Sequence, residues 1–269
     1  MTNTVDPDSN TSPLSPPAFD THVHIYPEDD AEQLLTRARQ RGIQSFVVVG
    51  SNITTSEQAL SLADSRQDVY ATVGLHPHEA DAFDGDLSPY LNLMERGNPV
   101  AVGEIGLDYY YDNSSREAQR TVFANFLQAA AQQELPAVIH CRDAYQDCLD
   151  ILREHLKPGQ RFEIHCFSGD PAWIAPFKEL GAWFSFNGLI TFKKAQNVRD
   201  ALQKVPMERL LLETDTPYLA PEPYRGHPNE PAYMYEIVHR AASELAMTPE
   251  EISRVTNVNA RDFLNLSDG

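Results

Sequence analysis

The feature that most narrows what this chain can fold into is an alternation, repeated about eight times, of a short apolar run with a longer amphipathic stretch. Candidate strands lie at 18–24, 45–50, 70–75, 99–104, 136–140, 161–166, 183–187 and 210–214. Several are nearly continuous Val, Ile, Leu or Phe, as in Ser45-Phe46-Val47-Val48-Val49-Gly50. Such runs suit strands covered on both faces, the condition of a parallel sheet wrapped in helices. Between them the apolar period changes. In 116–133, Val122, Phe123, Phe126, Leu127 and Ala130 recur at helical spacing, and Met234, Ile237, Val238, Ala241 and Leu245 do the same. About eight strand–helix units in ~250 residues is the arithmetic of a closed (β/α)8 TIM barrel. An open doubly wound sheet is the alternative, but no Gly-x-Gly-x-x-Gly loop opens a helix. With no internal repeat and no linker, residues 18–269 read as one domain. Residues 1–17 are rich in Thr, Ser, Asn, Asp and Pro and read as a disordered tail.

In a parallel barrel, chemistry sits at the carboxyl ends of the strands. The first candidate strand ends in His22 and His24, which alternation puts on one face. The third runs into His76-Pro77-His78, the fourth ends at Glu104, the fifth at His140, the sixth at His165, and the eighth in Glu213-Thr214-Asp215. Six of the nine histidines fall at such ends, which scattered structural histidines would not do. Four imidazoles and two carboxylates exceed one tetrahedral zinc site. They suit two divalent ions sharing a bridging carboxylate, with water as the nucleophile of a hydrolysis and the last-strand carboxylate accepting its proton. Nitrogen-rich ligation favours Zn or Mn, while Mg serves many two-metal nucleases. No Gly-x-Ser-x-Gly elbow is present, and Cys141, Cys148 and Cys166 show neither pairing nor zinc-like spacing.

Charge limits the partners. The balance of 21 basic against 39 acidic residues gives −18, which argues against a general electrostatic grip on nucleic acid. Bound cations can reverse the local sign in a carboxylate-rich pocket, so a nucleic-acid substrate stays open. No apolar run approaches the ~20 residues of a membrane span, and the N-terminus lacks a basic start and apolar core. The expectation is a cytoplasmic protein without membrane partners, monomeric by default.

The stretches FDTHVH (19–24), GLHPH (74–78), VGEIGLDYYYD (102–112), PAVIHCRDA (136–144), IHCFSGD (164–170), FSFNGLITFKKA (184–195) and LLETDTPYLAPEPYRGHPNEPAYM (211–234) together resemble the TatD family of metal-dependent hydrolases, in its YcfH-like branch. The resemblance implies a (β/α)8 barrel in which His22, His24 and Asp215 hold a first metal. It implies further that Glu104 bridges, and that His140 and His165 hold a second metal. Asp215 would also act as the base, which with Glu104 makes the catalytic pair. The implied activity is metal-dependent phosphodiester hydrolysis of DNA, including 3'-to-5' exonuclease action. Some relatives instead remove D-amino acids from tRNA, and a small-molecule amide or ester hydrolase is a further use of the same centre. A catalytically silent scaffold is the alternative of another class. Where the family usually has Arg-Gly-Lys, this chain has His227 in the Lys place, losing a permanent cation.

Candidate substrate contacts are His76, Arg142, Arg225 and Tyr109. The arginines would grip phosphate, and Tyr109 would stack a base or sugar. Asp20 either orients an imidazole or merely ends a strand, and Asn229 and Glu230 read as residues that pin the loop after Asp215.

Overall fold

The computed structural model describes residues 12–266. Its strands are β1 (Ala18–Val23), β2 (Ile43–Val48), β3 (Val69–Val73), β4 (Ala101–Asp108), β5 (Ala137–Arg142), β6 (Phe162–Ile164), β7 (Trp183–Phe186) and β8 (Leu210–Leu212). Its helices are α1 (Ala31–Gln40), α2 (Ile53–Asp64), α3 (Ser88–Gly97), α4 (Arg116–Gln132), α5 (Tyr145–His155), α6 (Ile174–Glu179), α7 (Gln196–Leu202), α8 (Met234–Leu245) and α9 (Pro249–Phe263). The eight strands run parallel in the order β1 to β8, and a bridge between Val23 and Thr216 joins the segment just after β8 to β1. This is a (β/α)8 TIM barrel.

Two apolar layers follow from strand alternation. Outward residues such as Phe46, Val48, Ile139, Ile164 and Leu212 pack beneath the helices in the main core. Inward residues Phe19, Val47, Val138, Trp183 and Leu211 fill the barrel itself. Ala260, Phe263 and Leu264 join this inner cluster from α9, so that helix plugs the amino-terminal mouth. The α9 start is written locally: Thr248 caps the helix reciprocally with Glu251, and Pro249 stands in the first turn. Burying the Phe263 ring contributes roughly 2–3 kcal/mol.

The structure moves some expected boundaries. β4 continues four residues beyond Glu104, because Leu107 and Asp108 pair with Cys141 and Arg142. Gly106 allows this: its φ is 140°, and a Cβ there would overlap the His140 carbonyl. Order also begins before Ala18. Leu14 is buried, and its N–H bonds the Arg41 carbonyl at 3.0 Å. The first eleven residues of the expected tail lie outside the described residues. Among the described residues no helix is long and apolar enough to cross a membrane.

Candidate metal centre

Closure of the barrel sets β1 against the segment after β8. The His24 N–H donates to the Thr216 carbonyl at 2.8 Å and the Asp215 N–H to the His22 carbonyl at 2.9 Å. Asp20 reinforces this seam, accepting from the Thr214 N–H at 2.8 Å and the Thr214 hydroxyl at 2.6 Å. It therefore holds the rim rather than an imidazole ring. Burial pushes its carboxyl up to about 8 despite the Thr214 hydrogen bonds.

Glu104 is the centre of the rim. It sits where the β4–β5 register slips between Val102 and Ile105, the kind of irregularity that re-aims a side chain. One carboxylate oxygen, Oε1, is 2.7 Å from both His140 Nδ1 and His165 Nε2. The other, Oε2, faces His22 Nε2 at 3.5 Å and His24 Nε2 at 3.6 Å. Asp215 Oδ1 approaches His24 Nε2 at 3.7 Å. The six residues expected as ligands thus meet around one buried carboxylate.

The donor set fits divalent ions. Two imidazole nitrogens each about 2.1 Å from one tetrahedral ion stand roughly 3.4 Å apart. His22 Nε2 and His24 Nε2 are 3.2 Å apart, and so are His140 Nδ1 and His165 Nε2. The His22, His24 and Asp215 donors also lie within 4.8 Å of one another. Burial lowers His22, and burial with the neighbouring His22 takes His24 down to about 4. Both rings are therefore neutral near pH 7, the form that ligates. On the other side, the effect of burial is outweighed. Asp108 and Glu104 raise His140, Glu104 and Glu213 raise His165, and the imidazoles hold Glu104 well below the usual carboxylate range.

Two further carboxylates support the ligands and went unassigned in the sequence reading. Asp108 Oδ2 lies 3.1 Å from His140 Nε2 and 2.9 Å from His78 Nε2, while its Oδ1 accepts the N–H groups of Tyr110 and Tyr111 at 3.0 and 2.9 Å. A proton on His140 Nε2 directs the Nδ1 lone pair at the centre. Glu213 Oε1 faces His165 Nδ1 at 3.4 Å from below, and Glu213 Oε2 accepts from the Ser185 hydroxyl at 2.5 Å. The available signal was even spacing along a strand: Asp108 is four residues from Glu104, and Glu213 two from Asp215.

A cavity opens above the centre, lined by the candidate ligands His24, Glu104, His140, His165 and Asp215 together with His76, Arg142, Tyr26, Tyr111 and Tyr218. His76 Nε2 is 3.5 Å from Glu104 Oε1, and its Nδ1 accepts the His78 N–H at 3.2 Å, leaving Nε2 as a donor. Arg142 stacks on the Tyr110 ring at 4.5 Å. Two expected contacts are elsewhere. The Tyr109 hydroxyl donates to Asp147 Oδ2 at 2.7 Å and accepts from Arg120, and Arg116 covers its ring, so it is committed to the α4–α5 surface. Tyr111 lines the cavity instead. Arg225 lies over the Phe192 ring at 3.9 Å, away from the cavity wall. Asn229 does pin its loop, donating to the carbonyls of Thr214 and Tyr218 at 2.7 and 2.6 Å, and Glu230 pairs with Arg37.

Fold and rim together define a class: a TIM barrel with a buried histidine–carboxylate centre suited to divalent ions. Within it, this chain belongs to the TatD-related DNase family, whose family model matches residues 19–265. It is 35% identical over 253 residues to the uncharacterized metal-dependent hydrolase YabD of Bacillus subtilis, covering 93% of this chain and 99% of that protein. It is 34% identical over 244 residues to the 3'-5' ssDNA/RNA exonuclease TatD of Erwinia tasmaniensis, covering 88% and 94% respectively. Among solved structures, the TatD homologue YJJV from Escherichia coli K12 superposes with a TM-score of 0.87 at 30% identity, over 93% of this chain and 98% of that one.

Proposed function

We propose that this protein is a metal-dependent hydrolase of phosphodiester bonds, acting on 3' ends of nucleic acid. The observation that carries the reading is the division of Glu104: Oε2 faces His22 and His24, while Oε1 faces His140 and His165 at 2.7 Å and His76 at 3.5 Å. His22, His24 and Asp215 would hold one ion, His140 and His165 the other, and Glu104 would bridge. Two divalent ions there would polarise the scissile phosphate and acidify water to make a nucleophile near neutral pH. Asp215 receives the proton. In the metal-free rim, burial and the nearby Glu213 and Glu104 charges hold the Asp215 carboxyl well above the ordinary aspartate value.

The cavity walls supply the substrate contacts. Arg142 makes no ion pair among the described residues. Held on the Tyr110 ring, it keeps its N–H edge for phosphate oxygens. His76 donates from Nε2 toward the same oxygens. Tyr111 is 57% exposed, leaving a face on which a base can stack. The name of the Erwinia relative supports the choice of single-stranded nucleic acid.

The test is a matrix of Zn, Mn and Mg against single-stranded DNA, RNA and D-tyrosyl-tRNA, beside elemental analysis of the purified protein. We expect shortening of DNA from the 3' end and about two ions per chain. Absence of nucleic-acid cleavage with every ion would overturn the proposal. Turnover of the aminoacyl ester alone would keep the centre and change the substrate.

A further inference from the structure

Against a formal charge of −18, a group of unpaired cations at the functional rim demands a reason. The rim divides by sector. The connection from β1 to α1 carries Glu28, Asp29 and Asp30, and that from β3 to α3 carries Glu79, Asp81, Asp84 and Asp86; neither contains Lys or Arg. The connection from β7 to α7 is the reverse, with Lys193 and Lys194 and no acid. Arg225 reaches the same place from the loop after β8, its guanidinium over the Phe192 ring at 3.9 Å. All three cations are exposed, and none makes an ion pair among the described residues. Exposed Glu222 shares the loop of Arg225 and pairs with none of them.

The backbone beneath this patch is rigid. Buried Arg199 donates to the carbonyls of Ile190, Phe192 and Lys193 at 3.1, 2.6 and 3.4 Å. The Glu222 N–H donates to the Thr191 hydroxyl at 2.9 Å, tying the two loops together. A Cβ on Gly188 would overlap the Leu219 carbonyl, and Leu219 itself lines the cavity over the metal centre. The β7 loop that bears the lysines is thus packed against the segment that carries Leu219, a residue of the cavity wall.

We propose that Phe192, Lys193, Lys194 and Arg225 form a track for the phosphates of a single-stranded nucleic acid beyond the one at the centre. The inference rests on the nuclease reading and adds the path of the strand: over the β7 and β8 loops, away from the acidic sector. Aromatic and cationic side chains along a groove are the means by which single strands are held without sequence preference. Three phosphate contacts correspond to a change of about 2 in the slope of log affinity against log salt, at ~0.7 each for a single strand.

The experiment compares wild type with the Lys193→Ala/Lys194→Ala/Arg225→Ala variant. Fluorescence anisotropy of a labelled 15-nucleotide DNA is titrated across KCl concentrations without added metal. Hydrolysis of the same strand and of a dinucleotide is followed with Mn. The variant should bind the 15-mer at least ~10-fold more weakly at low salt, with a slope shallower by about 2. Its dinucleotide kinetics and melting temperature should match wild type. Equal 15-mer affinity and slope overturn the track, as do equal losses on the dinucleotide. Binding that depends on the three cations without any hydrolysis by wild type supports the track and overturns the nuclease reading alone.

Discussion

Asp108→Asn separates the support of one ion from that of the other. In wild type, Asp108 Oδ2 faces His140 Nε2 at 3.1 Å, so with a metal bound the His140 proton would be held on Nε2 and the Nδ1 lone pair left for the ion beside Glu104 and His165. Asn keeps an oxygen for the Tyr110 and Tyr111 N–H groups and places an amide NH2 toward His140. That donor favours the opposite tautomer, with the proton on Nδ1, where a ligand lone pair is needed. A hydrogen bond to a charged partner contributes about 1.5–3 kcal/mol, and 1.4 kcal/mol is tenfold in affinity. The His140–His165 ion should therefore bind about 10- to 150-fold more weakly, in line with other losses of a partner behind a ligating histidine. The His22–His24–Asp215 ion does not touch Asp108 and should keep its affinity. Isothermal titration of metal-free protein with Zn or Mn resolves the two steps. Two steps as tight as in wild type, or a loss equal at both, would refute the tautomer argument.

Glu104→Ala removes both shared oxygens, so elemental analysis should find at most one ion per chain and no hydrolysis; two retained ions would contradict the bridge. Gly106→Ala puts a Cβ into the His140 carbonyl at φ 140°, and urea denaturation should show a loss of about 3 kcal/mol or more. Neither carboxylate oxygen of buried Glu163 has a hydrogen-bond partner among the described residues, and burial, with the Glu213 charge, raises its pKa well above the ordinary value. The folded state then holds a proton that the unfolded state releases above pH ~4.3, so stability is full below that pH and falls as pH rises, by about 1.4 kcal/mol per unit. Metal-free Glu163→Gln should show a shallower fall in stability than wild type as pH rises above ~4.3 in urea denaturation; parallel profiles would show the carboxyl to be ionised in the fold. Arg142→Ala should raise KM for DNA about tenfold, the effect of one charge-assisted hydrogen bond, with the melting temperature unchanged.

The barrel and its six central side chains were legible early because both signals are local. Apolar period separates a strand covered on both faces from an amphipathic helix within a few residues, and a histidine at the end of an apolar run announces itself by type. His22, His24, His140, His165 and Asp215 could be placed at one rim because parallel strands all end there. The orientation of a side chain was not legible. Tyr109 and Tyr111 are near neighbours in a run of three tyrosines, yet Asp147 and Arg120 draw Tyr109 onto the outer surface while Tyr111 faces the cavity. Arg225 was expected at the scissile phosphate, and its guanidinium rests on Phe192, 33 residues earlier in the chain, outside the cavity lining.

Residue identity and spacing thus sufficed for the fold class and for which strand ends carry imidazoles and carboxylates at one rim. The slip in register that brings Glu104 inward, the carboxylates of Asp108 and Glu213 behind the imidazoles, and α9 closing the far mouth came only with the packed chain. Each depends on contacts between segments tens of residues apart or more, and their free energy belongs to the assembled barrel rather than to any stretch of sequence.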